Sequence, residues 1–145
     1  MNPLDYICLK EGFRATVYRC TEGYPTIGYG WVLGPIGASL EPFKYMVISE
    51  AAAKAQCASV VDEIIKKLSG VIASWYILTP TRQTMLISMA YQLGVEGLLQ
   101  FKRMLKAIEN ADFDTAALEG LDSRWAKQTP ARAREQMEYL RVGFT

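Results

Sequence analysis

The chain has 145 residues, half of them apolar and 21% charged, which suits a single globular domain and excludes a disordered tail, a collagen-like fibre or a disulfide miniprotein. A chain of this length removes roughly 68 to 70% of its unfolded surface from water, enough for a core without metal or crosslinks. Sixteen basic side chains against fifteen acidic ones leave a net charge of +1, so no global field draws the protein to nucleic acid or to an anionic membrane. The three cysteines, Cys8, Cys20 and Cys57, are an odd number without a C-x-x-C pair, and there is no histidine. That argues against a disulfide framework or a transition-metal site and for a reducing compartment. The opening MNPLDYICLKEGFR has acidic residues among its apolar ones and no basic lead, and reads as neither signal peptide nor anchor. Apolar stretches such as Val71 to Leu78 fall far short of the ~20 residues that span a bilayer.

Three places set a capping side chain directly before proline: Asn2-Pro3, Thr79-Pro80 and Thr129-Pro130. Each predicts a helix start, because the side chain accepts from orphan amides and the ring holds helical φ. The first helix runs from about Pro3 to Glu11, with Leu4, Ile7, Cys8 and Glu11 at helical spacing and Gly12 as its stop. The period then changes. Thr16 to Tyr18, Tyr24 to Tyr29 and Trp31 to Leu33 are β-formers separated by Thr-Glu-Gly and Gly-Tyr-Gly turns, which predicts an antiparallel sheet of two or three strands.

Gly34 to Ser39 reads as a loop, and Leu40 to Val47 as a short helix weakened by Pro42. From the N-cap Ser49 to Leu68 the pattern is strongly helical, with Ala51, Ala55, Ala58, Val61, Ile65 and Leu68 on one stripe, a span of about 28 Å at 1.5 Å per residue. Helices follow over Pro80 to Leu93, closed by Gly94, over Leu98 to Ile108, closed by Asn110, in a short piece capped by Asp112, and from Pro130 to about Arg141. With no strand pattern after Leu33, the chain is α+β and mostly helical.

Glu11 is the chemically interesting residue. It ends a short helix on the face shared with Leu4 and Ile7, a carboxyl at the border of an apolar surface. A general acid that protonates a leaving oxygen needs such a group, and a glycosidase needs a second group across the scissile bond. The hairpin turn after Tyr18 is the nearest platform for one.

There the sequence runs Cys20-Thr21-Glu22-Gly23, then Thr26-Ile27-Gly28-Tyr29-Gly30. Together with Glu11-Gly12 this order resembles the T-even phage lysozymes, glycoside hydrolase family 24. The likeness continues in Tyr91-Gln92-Leu93-Gly94, in Ser123-Arg124-Trp125 and in Gln128-Thr129-Pro130-x-Arg132, so it spans most of the chain. The resemblance implies a single domain over residues 1–145 in a phage-lysozyme-like two-lobe fold. Its parts would be a β-containing lobe over about 12–48, a connecting helix over 49–69, and a helical lobe of 70–145 plus helix 3–11. It also implies a cofactor-free muramidase that cuts the β-1,4 bond between N-acetylmuramic acid and N-acetylglucosamine in bacterial peptidoglycan. Glu11 would be the acid, Thr26 would help orient the nucleophile, and Arg132 would pair with Glu11 and hold it. Gly30, Val32, Tyr91 and Gln92 would line the sugar groove.

Cys20 departs from the family, which commonly has Asp there. A thiol of pKa near 8.5 is only a few per cent thiolate at pH 7, yet a thiolate is a strong nucleophile. Cys20 can thus be read as a base on water, as a direct nucleophile, or as an inactivating or engineered change. Neighbouring Arg19 would favour the thiolate unless strand alternation points it away. Glu22 would partly replace the missing carboxylate or simply be solvated.

Met104 and Glu119 also differ from the small polar or amide groups of relatives, and Trp31 replaces a histidine. Arg124, Lys127 and Arg134 read as a solvated face, Trp125 as an anchor of the helical lobe, and Cys8 and Cys57 as small buried hydrophobes. The implied setting is a monomer made in the host cytoplasm that reaches periplasmic peptidoglycan through a holin, without nucleic acid or stable membrane insertion. The rivals are a wall-binding module that has lost catalysis and a virion-associated wall hydrolase.

Overall fold

Helices begin where the sequence supplies a cap or a proline, and the computed structural model, which describes residues 1–144, shows how far that rule reaches. In chain order the described residues form α1 (Pro3–Glu11), β1 (Arg14–Arg19), β2 (Pro25–Gly28), β3 (Trp31–Val32), α2 (Glu50–Val71), α3 (Pro80–Leu93), α4 (Val95–Leu99), α5 (Lys102–Glu109), α6 (Phe113–Leu121), α7 (Arg124–Gln128) and α8 (Pro130–Val142). Single 3-10 turns lie at Glu41–Phe43 and Trp75–Ile77. This is a mostly helical α+β fold with one antiparallel sheet of strand order β1-β2-β3. The chain separates into two compact units, Leu4–Val61 and Met1–Pro3 with Asp62–Thr145. The division falls within α2 and groups α1 with the sheet, whereas the family resemblance groups helix 3–11 with the helical lobe. The reason is local: α1 touches α2 through Asp5 and Lys54 at 3.5 Å and meets the hairpin through Glu11.

In the sheet unit, β2 is buried along its whole length between β1, with Arg19 opposite Pro25 and Tyr18 opposite Thr26, and β3, with Thr26 opposite Val32. The segment expected as a short helix over Leu40 to Val47 forms only the Glu41–Phe43 turn. Its end returns to the sheet, where Thr16 bridges Val47 and the Ile48 amide donates to the Ala15 carbonyl at 2.9 Å. The first half of α2 packs on this unit after Ser49 caps it, its hydroxyl accepting from the Ala52 amide at 3.1 Å. The buried stripe is Ala53, Cys57, Val61, Ile64 and Leu68, rotated from the expected one, because Ala53 and not Ala51 fits against the hairpin. A Cβ on Gly28 would stand 3.2 Å from that of Ala53.

The helical unit is built around α3, buried on nearly every face from Thr84 to Ala90, with α4 and α8 against it. Thr79 caps α3, its hydroxyl accepting from the Arg82 amide at 3.3 Å. The matching cap at Thr129 does not form; that hydroxyl instead donates to the Trp125 carbonyl at 3.0 Å, closing the preceding α7. The helix expected over Leu98 to Ile108 is two helices. Phe101 leaves helical geometry at the break and sets its ring edge-on to Trp125 at 6.1 Å. Asp112 caps α6 as its position suggests, accepting from the Thr115 amide at 3.2 Å. The α7 start at Ser123, whose hydroxyl accepts from the Ala126 amide at 3.2 Å, is an addition to the sequence reading.

Arg82 closes the far end of α8. Its guanidinium donates to the Leu140 and Arg141 carbonyls at 2.7 and 2.9 Å and lies 3.4 Å from the Phe113 ring centroid, a cation at the negative end of a helix. Among the described residues no helix is long and apolar enough to cross a membrane.

These caps carry a measurable consequence. Replacing Thr79 by Ala is expected to cost about 1 kcal/mol in urea unfolding, whereas Leu9→Ala, at a side chain 77% exposed, should stay within about 0.5 kcal/mol of the parent.

Candidate active site

Glu11 is the last residue of α1, half-buried, and its carboxyl lies against the turn between β2 and β3. Gly30 in that turn has φ +77°, and a Cβ there would come within 2.9 Å of Glu11 Oε2. The turn therefore needs glycine twice over, for its left-handed backbone and for the space the carboxyl fills. Val32, two residues on, is 47% exposed on β3 and pairs with Thr26.

Tyr18 joins this group, and the sequence reading passed over it. Its phenol is pushed up by burial and then by the Glu11 charge, with Arg14 opposing and Cys20 adding to the rise. The Arg14 guanidinium stacks 4.3 Å from its ring centroid. The available signal was proximity in sequence: Tyr18 stands near the end of β1, two positions before the expected catalytic residue Cys20.

Cys20 follows β1 and begins the turn that leads to β2. Its amide donates to the Tyr24 carbonyl at 3.0 Å, and the Gly23 amide donates to its own carbonyl at 2.9 Å. The thiol is half-buried. Burial pushes its pKa up, but backbone hydrogen bonds from Tyr24, Glu22 and Gly23 and the Thr26 hydroxyl together bring it below its ordinary value. Amide and hydroxyl donors converging on sulfur favour the thiolate. Arg19 takes no part, since its guanidinium is turned to the Gly23 and Ala38 carbonyls at 3.0 and 2.8 Å, and Glu22 is exposed. Thr26 is only 2% exposed, and its single hydroxyl proton also has the Tyr24 carbonyl within 2.9 Å.

The sheet unit thus brings together Glu11, Tyr18, Cys20, Thr26, Gly30 and Val32. Tyr91, Gln92 and Arg132 belong to the helical unit. Tyr91 and Gln92 are half-buried at the end of α3, and Gln92 Oε1 accepts from the indole of buried Trp125 at 2.9 Å. Arg132 on α8 donates to the Ser88 hydroxyl at 3.1 Å. That oxygen also accepts from the fully buried Gln136 at 3.0 Å, so Ser88 and Gln136 help fix the arginine. Met104 is buried, and both it and Glu119 line a cavity of about 570 Å³ within the helical unit. Cys57 is fully buried, whereas Cys8 is half-buried, contrary to its reading as a core hydrophobe, because α1 keeps one side open to solvent. Among the described residues no group of three or more His, Cys, Asp or Glu is placed to hold a metal ion.

The helix, hairpin and helical run, in this order, define an α+β protein of the lysozyme kind. Comparison with known proteins makes that specific: the family described as phage lysozyme matches residues 9–139, and the chain belongs to this family of glycoside hydrolases. It is 33% identical to the pre-baseplate central spike protein Gp5 of Enterobacteria phage T4 over 92% of its own length, and spans 26% of that protein. It is 28% identical to each of the probable T4-type lysozymes 1 and 2 of Dictyostelium discoideum, over 96% of this chain and 93% of theirs.

Two outcomes test the site's geometry directly. Iodoacetamide labelling followed peptide by peptide should give Cys20 a pH midpoint below that of an ordinary thiol and Cys8 one of about 11, and Thr26→Val should move only the Cys20 midpoint upward. Gly30→Ala should lower stability by about 1 to 3 kcal/mol, read by urea unfolding.

Proposed function

We propose that this chain is a muramidase that hydrolyses the β-1,4 bond between N-acetylmuramic acid and N-acetylglucosamine in bacterial peptidoglycan. The observation that carries this reading is the Glu11 carboxyl set against the Gly30 turn, in the same unit as a thiol ringed by donors, in a member of the phage lysozyme family. Glu11 serves as the general acid and delivers its proton to the bridging oxygen as the glycosidic bond breaks.

Cys20 with Thr26 supplies the second group, which positions or activates the nucleophile at the anomeric carbon. A sulfur biased toward thiolate can take a proton from water or attack carbon itself, and the donors around it support either role. Gly30 and Val32 of the sheet unit contact the sugar chain, and in the helical unit Tyr91 and Gln92 keep the substrate-binding role, and Arg132 the supporting role, that the family resemblance implies. In this reading the protein is made in the host cytoplasm and meets the periplasmic wall after a holin opens the membrane.

Turbidity loss of outer-membrane-permeabilised Gram-negative cells is the assay. Glu11→Gln should reduce clearing by roughly 100-fold or more with unchanged circular dichroism; clearing at the parent rate rejects the acid assignment. Cys20→Ala should lose most activity and Cys20→Asp should keep much of it, while equal rates for Cys20→Ala and the parent remove sulfur from the mechanism. Because the reaction needs the Cys20 thiolate and a protonated Glu11 together, the parent rate should follow a bell-shaped pH profile, and Cys20→Asp should shift that bell toward acid.

A further inference from the structure

α1 and the first half of α2 belong to one compact unit, and two pairs of side chains link them. Asp5 faces Lys54 at 3.5 Å. Three residues along each helix, the thiols of Cys8 and Cys57 are hydrogen-bonded to one another. The steps are equal on both helices, so the two links follow one another in the same chain direction. The Tyr29 hydroxyl, held by Glu50 at 2.8 Å, lies close enough to feel both sulfurs. Cys57 is fully buried, and Cys8 is the member that solvent reaches.

We propose that Cys8 and Cys57 are a dithiol that closes into a disulfide between α1 and α2 when the protein meets a small-molecule disulfide oxidant. The Cys8 thiolate attacks the oxidant, releasing one thiol and leaving a mixed disulfide on Cys8. Cys57 then loses its proton and attacks the Cys8 sulfur, expelling the second thiol. The protein loses two protons and two electrons, and the oxidant takes them up to become two thiols.

Placement explains the order of events. A reagent can reach Cys8, and only an intramolecular attack can engage Cys57. Cys8 is held near pKa 11 by burial and by Cys57, so the first step is slow at neutral pH and quickens as pH rises. The bridge would enclose residues 9–56, which include the whole sheet with Cys20, Thr26 and Gly30. It restricts the unfolded chain more than a short loop would. It also fixes α1 one turn before Glu11.

The test uses the native full-length chain with oxidised glutathione at mildly alkaline pH, followed by blocking of free thiols with iodoacetamide and digestion without reductant. The expected product is a Cys8–Cys57 peptide pair two hydrogens lighter than its separate halves. The melting temperature should rise by roughly 5 to 10 °C, and dithiothreitol should reverse both changes. Cys8→Ala, a change at a half-buried site, should show no such rise. Glutathione retained on Cys8 with Cys57 still alkylated on unfolding overturns the proposal, as does a joined pair without the rise. Because both readouts are independent of cell-wall hydrolysis, they stand or fall separately from the muramidase reading.

Discussion

A limit of space governs the sheet unit: the carboxyl of Glu11 occupies the volume in which any side chain at residue 30 would begin. The helix that carries Glu11 starts at Pro3 and stops at Gly12, and the turn that receives it has left-handed geometry at Gly30. Helix end and hairpin turn are therefore fitted to each other, and neither can shift alone. Tyr18 pairs with Thr26 in the hairpin and the Cys20 amide donates to Tyr24 across its turn, so Glu11 and the groups around it share one frame.

The parts of this arrangement that were legible in the sequence are those set by neighbouring residues. Proline after a capping residue gives the observed bounds of α1 and α3, and the change from helical to alternating period gives the sheet. What was not legible depends on partners distant in sequence. The buried stripe of α2 could not be chosen among many alanines until Gly28 selected Ala53. The break between α4 and α5 comes from Phe101 turning to Trp125, which leaves no mark on periodicity. Thr129 has the same local signature as Thr79 yet bonds backward to Trp125, since α7 ends where α8 begins. For the candidate site, Glu11, Cys20 and Thr26 were named from the family pattern, and the structure holds all three in one unit. The donors around the sulfur come from the backbone shape of a turn, and composition does not encode them.

The three cysteines show how far surroundings outweigh side-chain identity. At Cys20, amides and a hydroxyl aimed at sulfur stabilise negative charge against burial. At Cys8, burial and a neighbouring thiol have the opposite effect. Cys57 has no exposure at all. Reactivity toward an external reagent is thus graded within one unit, although the sequence offers three indistinguishable thiols.

Pro25 heads the middle strand opposite Arg19, and its carbonyl accepts from the Leu33 amide at 2.8 Å. A proline has no hydrogen to donate, so it fits only certain rungs of a ladder. Sliding β2 by a single place would set that missing donor against a new neighbour and invert every side chain on the strand, turning Thr26 away from the sulfur it touches. One imino ring thereby guards the alignment of the hairpin while the chain is still choosing among pairings, well before any substrate arrives.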